Sequence, residues 1–269
     1  MTAPSFRWRG GVLGMALPPN GNVPQLVALE AVFCGAADFG SEDTNEGCFC
    51  GDAGTFVIKK NNVHLALPHC EWFCSSLANL VGVPQVPFSV IRHPDGNHWF
   101  GSQWTNGKVQ DWWNLALRGA IDFASIAEDL CRIYVFDLFV HNVDRHANNF
   151  MVVPAAHGHR VLSFDYSRSW IINGFPPPDL MTDPAIATIS VKDWLKQKFG
   201  NYVSIDVADQ VLDAIDSVDS SAVSRIIHTH PRDWLTTQEE NAIINWWANG
   251  MASARVAEIR AGLRDGTLI

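Results

Sequence analysis

Hydrophobic and polar positions divide the chain into a strand-rich and a helix-rich part. The segment Thr55-Phe-Val-Ile-Lys59-Lys60 joins β-branched and aromatic residues and reads as a strand. Within it Val57 and Lys59 share one face and Lys60 takes the other. Residues 69–81 carry a helical pattern. Gly82 and Pro84 end it, the glycine for the left-handed position past the last turn and the proline because it cannot continue a helix. Val83–Ile91 and His98–Gly101 read as strands joined by the turn His93-Pro-Asp-Gly-Asn97. The glycine-rich, acidic stretch 40–54 reads as a hairpin tip or loop. Further on, the period changes. Ser125-x-x-Glu128 has the form of a capping box, and Ile126, Leu130, Ile133, Asp137 and Val140 recur near helical spacing, so a helix is expected from there to about His141. Arg160–Phe164 reads as a strand running into Asp165, and Pro176-Pro-Pro178 as a loop. Thr236-x-x-Glu239 is a second capping box, opening a helix expected to run through Trp246, Met251 and Val256 to about Gly262. The expected fold class is α+β with two lobes. Residues 1–104 hold strands and one helix, residues 105–269 are mainly helical, and 101–110 form a hinge at which a pocket is expected.

Composition narrows the function. The chain has 269 residues, enough for one large domain or two modest ones. Hydrophobic residues make up 47% and charged residues 17%, which excludes whole-chain disorder. Nineteen Lys and Arg against 28 Asp and Glu give a net charge of −9, so no nucleic-acid partner is expected for the chain by itself. There is no apolar run of membrane-spanning length, and the stretch Gly11–Leu17 is a weak leader candidate at most. With that, cysteines at 34, 48, 50, 70, 74 and 131 point to a reducing cytoplasm and buried free thiols. A zinc site from Cys34, Cys48, Cys50, His69, Cys70 and Cys74 is the alternative, but their spacings contain no C-x-x-C pair. His157, His159, His228 and His230 fall near turns and are expected in solvent. The Trp pairs 112–113 and 246–247 are expected in the core.

The sharpest chemical signal is Asn142-Val-Asp144-Arg-His146-Ala-Asn-Asn149-Phe150, with Asp165 at the end of the following strand. Such a loop presents a carboxylate, a basic side chain, an imidazole and an amide. Asn and Asp oxygens suit Mg²⁺, which keeps few protein ligands and leans on substrate phosphates. Asp144 is then left to orient a hydroxyl and take its proton. This is the division of labour in phosphoryl transfer, where positioning and charge neutralisation do most of the work.

The N-x-D-R-H-x-x-N-F loop, the apolar strand after it and Asp165 resemble the catalytic and metal loops of HipA-like kinases, over roughly residues 30–265. Phe56-Val-Ile-Lys59, the helix from Glu71 to Pro84 and Phe100-Gly101-Ser102 are similar as well. The resemblance implies a two-lobed protein-kinase-like fold without the extra N-terminal subdomain of the larger members. It implies Asp144 as catalytic base, Asn149 and Asp165 as Mg²⁺ ligands, and Lys59 as anchor of the ATP phosphates with Glu71 as its acidic partner. Val57 would line the adenine pocket, and His146 would hold the loop or contact the γ-phosphate. The acceptor it implies is Ser or Thr of a protein, in a bacterial toxin or effector kinase held by an inhibitory partner protein. The segment Gly40–Gly47 stands where these kinases carry a phosphate loop, which makes Ser41 and Thr44 candidate autophosphorylation sites, although its acidity is unfavourable beside a triphosphate. Three other readings stay open: a phosphoinositide-like lipid or small-molecule kinase, which shares D-R-H-x-x-N, an AMP transferase, and a nucleotide-binding pseudokinase. Without nucleotide, Asp144-Arg-His146 would be a structural loop.

Overall fold

The computed structural model describes residues 27–41, 44–60, 66–105, 107, 109 and 111–269. The leader candidate lies outside them. Six strands form one sheet: β1 (Ala28–Glu30), β2 (Phe33–Ser41), β3 (Thr44–Phe49), β4 (Thr55–Lys59), β5 (Phe88–Arg92) and β6 (His98–Gln103). Their order across the sheet is β1-β5-β6-β4-β3-β2, with β1 parallel to β5 and the other neighbours antiparallel. The stretch expected as a hairpin tip or loop is largely strand. Cys34, Gly35 and Ala36 pair with Cys48, Gly47 and Glu46, so the ladder imposes a structure that the glycines and acids do not announce. The strand expected from Val83 starts only at Phe88, because Pro84 and Pro87 cannot donate to a ladder.

Helix α1 (Leu67–Leu80) follows β4. Its inner side, including Phe73 and Leu77, enters the main core, which takes in Val90 and Phe100 of the sheet as well as the helical part. The remaining residues form α2 (Trp112–Leu117), α3 (Phe123–Val140), the hairpin β7 (Phe150–Ala155) and β8 (Gly158–Ser163), then α4 (Ala187–Phe199), α5 (Ile205–Asp216), α6 (Ser220–His228), α7 (Thr237–Ala248) and α8 (Met251–Arg264). Phe73, Phe139, Trp170, Trp246 and Trp247 pack as one aromatic cluster, with Phe73 and Trp170 stacked at 4.9 Å. A separate small core of Cys48, Phe56, Ile58 and Ile91 fills the other face of the sheet.

Several expectations are corrected. Helix α3 does not start at Ser125. Asp122 caps it, accepting from the Ala124 N–H at 3.1 Å, and Glu128 pairs with Arg132 one turn on. The capping box at Thr236 and Glu239 is present in both directions. The helix it opens stops at Ala248, and Gly250, at φ +75°, turns the chain into α8. His230 is buried rather than solvated. Its Nε2 lies 2.8 Å from Nδ1 of His69 and its Nδ1 is 2.7 Å from the Pro231 carbonyl oxygen. Burial lowers both histidines, His230 to about 4, which keeps the pair neutral. Cys34 and Cys48 form a disulfide, contrary to the expectation of free thiols, because the β2–β3 register sets them directly opposite each other. Cys50, Cys70, Cys74 and Cys131 are free and buried. Among the described residues no helix is long and apolar enough to cross a membrane.

Candidate active site

The site begins with Lys59. Strand β4 alternates, so Thr55, Val57 and Lys59 point to one face and Phe56 and Ile58 enter the small core on the other. The Lys59 ammonium is buried. It lies 3.6 Å from Glu71 Oε1 on α1 and 3.1 Å from Asp165 Oδ1 just past β8. A buried cation needs such partners, since the apolar surroundings would otherwise expel its charge. Glu71 also accepts the Tyr166 backbone N–H at 3.0 Å, which ties α1 to the segment after Asp165.

The two carboxyls differ. Burial pushes Glu71 up to about 7, against the pull of Lys59 and with repulsion from Asp165 adding to it. Burial also acts on Asp165, but Lys59 and hydrogen bonds from Ser167 outweigh it and hold Asp165 well below the usual carboxylate range. The Ser167 hydroxyl and N–H reach Asp165 Oδ1 at 2.6 and 3.2 Å. Asp165 has φ +67°, a left-handed conformation that Asp tolerates better than bulkier residues.

The loop of residues 142–149 is built on a buried ion pair. Arg145 Nε and Nη2 donate to Asp137 Oδ2 and Oδ1 on α3 at 2.8 and 2.9 Å. Burial penalises the guanidinium, and Asp137 more than restores it. Arg145 Nη1 also donates to the carbonyl oxygens of Asn149 and Phe164, stapling the two loops together. His141, at φ +53°, ends α3, and Asn142 Nδ2 reaches Asp137 Oδ1 at 3.0 Å. Asp144 and His146 are thereby left exposed at the loop surface.

Phe150 of β7 pairs with Ser163 of β8, so Asn149 and Asp165 flank the same end of this hairpin. The Asn149 amide nitrogen donates to the Asp144 carbonyl oxygen at 3.0 Å, which leaves its oxygen as the end a cation could use. An amide oxygen and an ionised carboxylate at one hairpin end fit a hard divalent cation such as Mg²⁺.

The same face of the sheet continues into a cavity of about 450 Å³ lined by Phe33, Gly35, Ala36, Gly47, Phe49, Thr55 and Trp104. Phe49 pairs with Thr55, and Gly47 with Val57. The half-buried Val57 therefore sits between the cavity and Lys59. A Cβ at Gly35 would meet only open space, so the two paired glycines leave the middle of the hairpin bare between aromatic walls. The chain just past β6 packs on β7. Thr105 Oγ1 lies 2.7 Å from Met151 Sδ, and a side chain at Gly107 would collide with Met151.

Motif spacing points to Lys59, Glu71, Asp144, His146, Asn149 and Asp165. It misses Phe33, Phe49 and Trp104, which carry no motif. It also misses the positioning pair Asp137–Arg145, whose eight-residue separation gives no local signal. Ser41 ends β2 and Thr44 begins β3.

Comparison with known proteins adds the fold. No family model and no curated protein matches the chain. Among solved structures, the Helicobacter pylori proinflammatory kinase CtkA superposes with a TM-score of 0.58 at 13% identity, covering 87% of this chain and 96% of CtkA. The fold is that of a kinase. HipA of Shewanella oneidensis, from a complex of HipA, HipB and operator DNA, superposes more loosely, with a TM-score of 0.47 at 9% identity over 92% of this chain and 69% of HipA. The two-lobed α+β architecture expected from the sequence accords with the CtkA fold.

Proposed function

We propose that the protein is an ATP-dependent phosphotransferase that moves the γ-phosphoryl group of Mg-ATP to a hydroxyl, with Ser or Thr of a protein as acceptor. The observation that carries this is Lys59 paired with Glu71 and Asp165 beside the Asn149–Asp165 hairpin end, on the same face of β4 as an open pocket bordered by Phe33, Phe49 and Trp104. The kinase fold shared with CtkA agrees with it.

In this reading the adenine enters the cavity between Phe33, Phe49 and Trp104, where aromatic faces can stack on a base. Val57 packs beside it. Lys59 binds phosphate oxygens and fixes the triphosphate along β4. Asn149 and Asp165 would hold Mg²⁺, which supplies neutralisation of phosphate charge when bound. Asp144, exposed at the loop surface, orients the acceptor hydroxyl and takes its proton as that oxygen bonds to the γ-phosphorus and ADP leaves. His146 lies beside it and contacts the γ-phosphate or steadies the loop. Arg145 and Asp137 are positioning residues that touch neither substrate. The acceptor class and an inhibitory partner protein rest on the motif resemblance.

Incubation with Mg²⁺ and ATP labelled at the γ- or the α-phosphate tests the proposal. Label from γ-ATP on the protein or on an added acceptor protein, absent with Asp165→Ala, is the expected result. Label from α-ATP would show AMP transfer instead. Metal-dependent ATP binding with no transfer to any protein, lipid or small-molecule acceptor would show a pseudokinase. Mass spectrometry of labelled protein would report whether Ser41 or Thr44 carries the phosphate.

A further inference from the structure

Four side chains with metal-binding atoms meet away from the cleft. Cys34 and Cys48 face each other across β2 and β3. Glu46 precedes Cys48 by two residues, which puts both on one face of β3. His93, in the turn between β5 and β6, reaches the same place, with Nε2 2.9 Å from Glu46 Oε1. One ligand atom from each of the four lies within 4.8 Å of the other three. Gly35 and Gly47, on the opposite face of the same two strands, line the cavity described above.

We propose that, once the disulfide is reduced, Cys34, Cys48, His93 and Glu46 bind a zinc ion in a closed tetrahedral site. The donor set suits that ion. Bonds of about 2.0–2.3 Å place tetrahedral ligand atoms roughly 3.3–3.8 Å apart, so the widest separation has to close by about 1.0–1.5 Å while the two sulfurs, and Nε2 and Oε1, part. His93 is already aimed. Its Nδ1 lies 2.9 Å from Asp95 Oδ1 and accepts the Asp95 backbone N–H at 3.2 Å, and ligation through Nε2 would make Nδ1 the donor to that carboxylate, the outer contact that orients a ligating imidazole and raises its basicity. Lys60 is ion-paired with the second oxygen of Glu46. Two thiolates and a carboxylate exceed the charge of Zn²⁺ by one, and the Lys60 ammonium offsets that excess.

The chemistry balances. The disulfide takes two electrons and two protons from a dithiol reductant, which leaves as its own disulfide, and two thiols result. Each thiol gives up its proton as its sulfur binds Zn²⁺. The disulfide and the metal therefore exclude each other, and they constrain different things. The disulfide joins two strands already held in register by the ladder. The metal would tie that hairpin to the β5–β6 turn. This proposal stands independently of the kinase reading.

The test is zinc binding by the full chain kept in a phosphine reductant, in which water supplies the oxygen the phosphine gains. Bound metal per chain is measured after desalting, and cobalt replaces zinc for absorption spectra. The expected result is one equivalent in reduced protein, none in oxidised protein, and a thiolate-to-cobalt charge-transfer band. Cys48→Ser abolishes the band, His93→Ala weakens zinc at least tenfold, and the remote Cys131→Ser changes nothing. Asp95→Ala, on an exposed turn, weakens zinc roughly 10–100-fold. It decides the matter if circular dichroism shows that a ligand variant has failed to fold. Reduced wild type without stoichiometric metal, or unaltered affinity in both His93→Ala and Asp95→Ala, would overturn the proposal.

Discussion

At the scale of single residues, the site depends on three charges sharing one buried space. Lys59 lies closer to Asp165 than to Glu71, and Asp165 keeps its charge while Glu71 holds a proton up to about pH 7. A carboxyl raised in the folded state favours folding while protonated, so its contribution falls as pH rises from its unfolded value of about 4.5 through about 7. Denaturant unfolding at pH 5 and pH 8 should therefore show wild type losing on the order of 1–3 kcal/mol relative to Glu71→Gln across that interval. A constant difference between the two proteins would mean that Glu71 is ionised throughout. Asp144 is exposed and outside the Arg145 network, so Asp144→Asn should leave the melting temperature and ATP affinity unchanged while transfer falls roughly 10²–10⁴-fold. Arg145→Met has the opposite signature. It leaves Asp137 buried without its counter-charge, at a cost of about 3–5 kcal/mol in unfolding free energy. The Asp144 loop was legible because its residue types are rare in that order. Arg145 was legible only as a loop residue, since its importance comes from a contact with α3 that local sequence does not encode.

At the scale of elements, ends decided where the helices fall. The Ser125–Glu128 pattern satisfies the capping-box rule, yet Asp122, three residues upstream of Ser125, caps the helix by accepting the Ala124 N–H. Ser125 instead donates to the Asp122 carbonyl oxygen. Asp122→Ala should cost about 1 kcal/mol, and Glu128→Gln, which touches only an exposed Arg132 pair, less than about 0.5 kcal/mol. Chemical denaturation of the two variants separates these roles. The chain just past β6 offers a second test. Gly107 leaves room for Met151 on β7, so Gly107→Val should overpack that contact and cost about 1–3 kcal/mol in chemical denaturation, with the helical circular dichroism unchanged. The hairpin β2–β3 was the element least legible beforehand. Its glycines and acids suit a loop, and only pairing with β4 makes a strand of them. The aromatic walls it carries went unread for the same reason.

At the scale of the whole molecule, the two cores lie on opposite faces of the sheet, and Lys59 stands on the face that also carries the large core. The small core stiffens the sheet from behind, and the large aromatic core receives α1. Glu71 on α1 and Asp165 beyond β8 are thereby brought together at Lys59. The division into strand-rich and helical parts was legible from the change of hydrophobic period near residue 104. The placement of α1 against the helical part was not, because an amphipathic helix shows that it has a buried face but not which neighbour covers it.

We propose the face of β4 that carries Lys59, with Asn149 and Asp165 beside it, as a magnesium–nucleotide site. Calorimetric titration of ATP into wild type and Asp165→Ala, each with and without Mg²⁺, tests it most directly. The expected result is binding to wild type that Mg²⁺ strengthens roughly tenfold or more, and no Mg²⁺ effect in Asp165→Ala. ATP binding that Mg²⁺ strengthens equally in both proteins, or no binding to wild type, would contradict it.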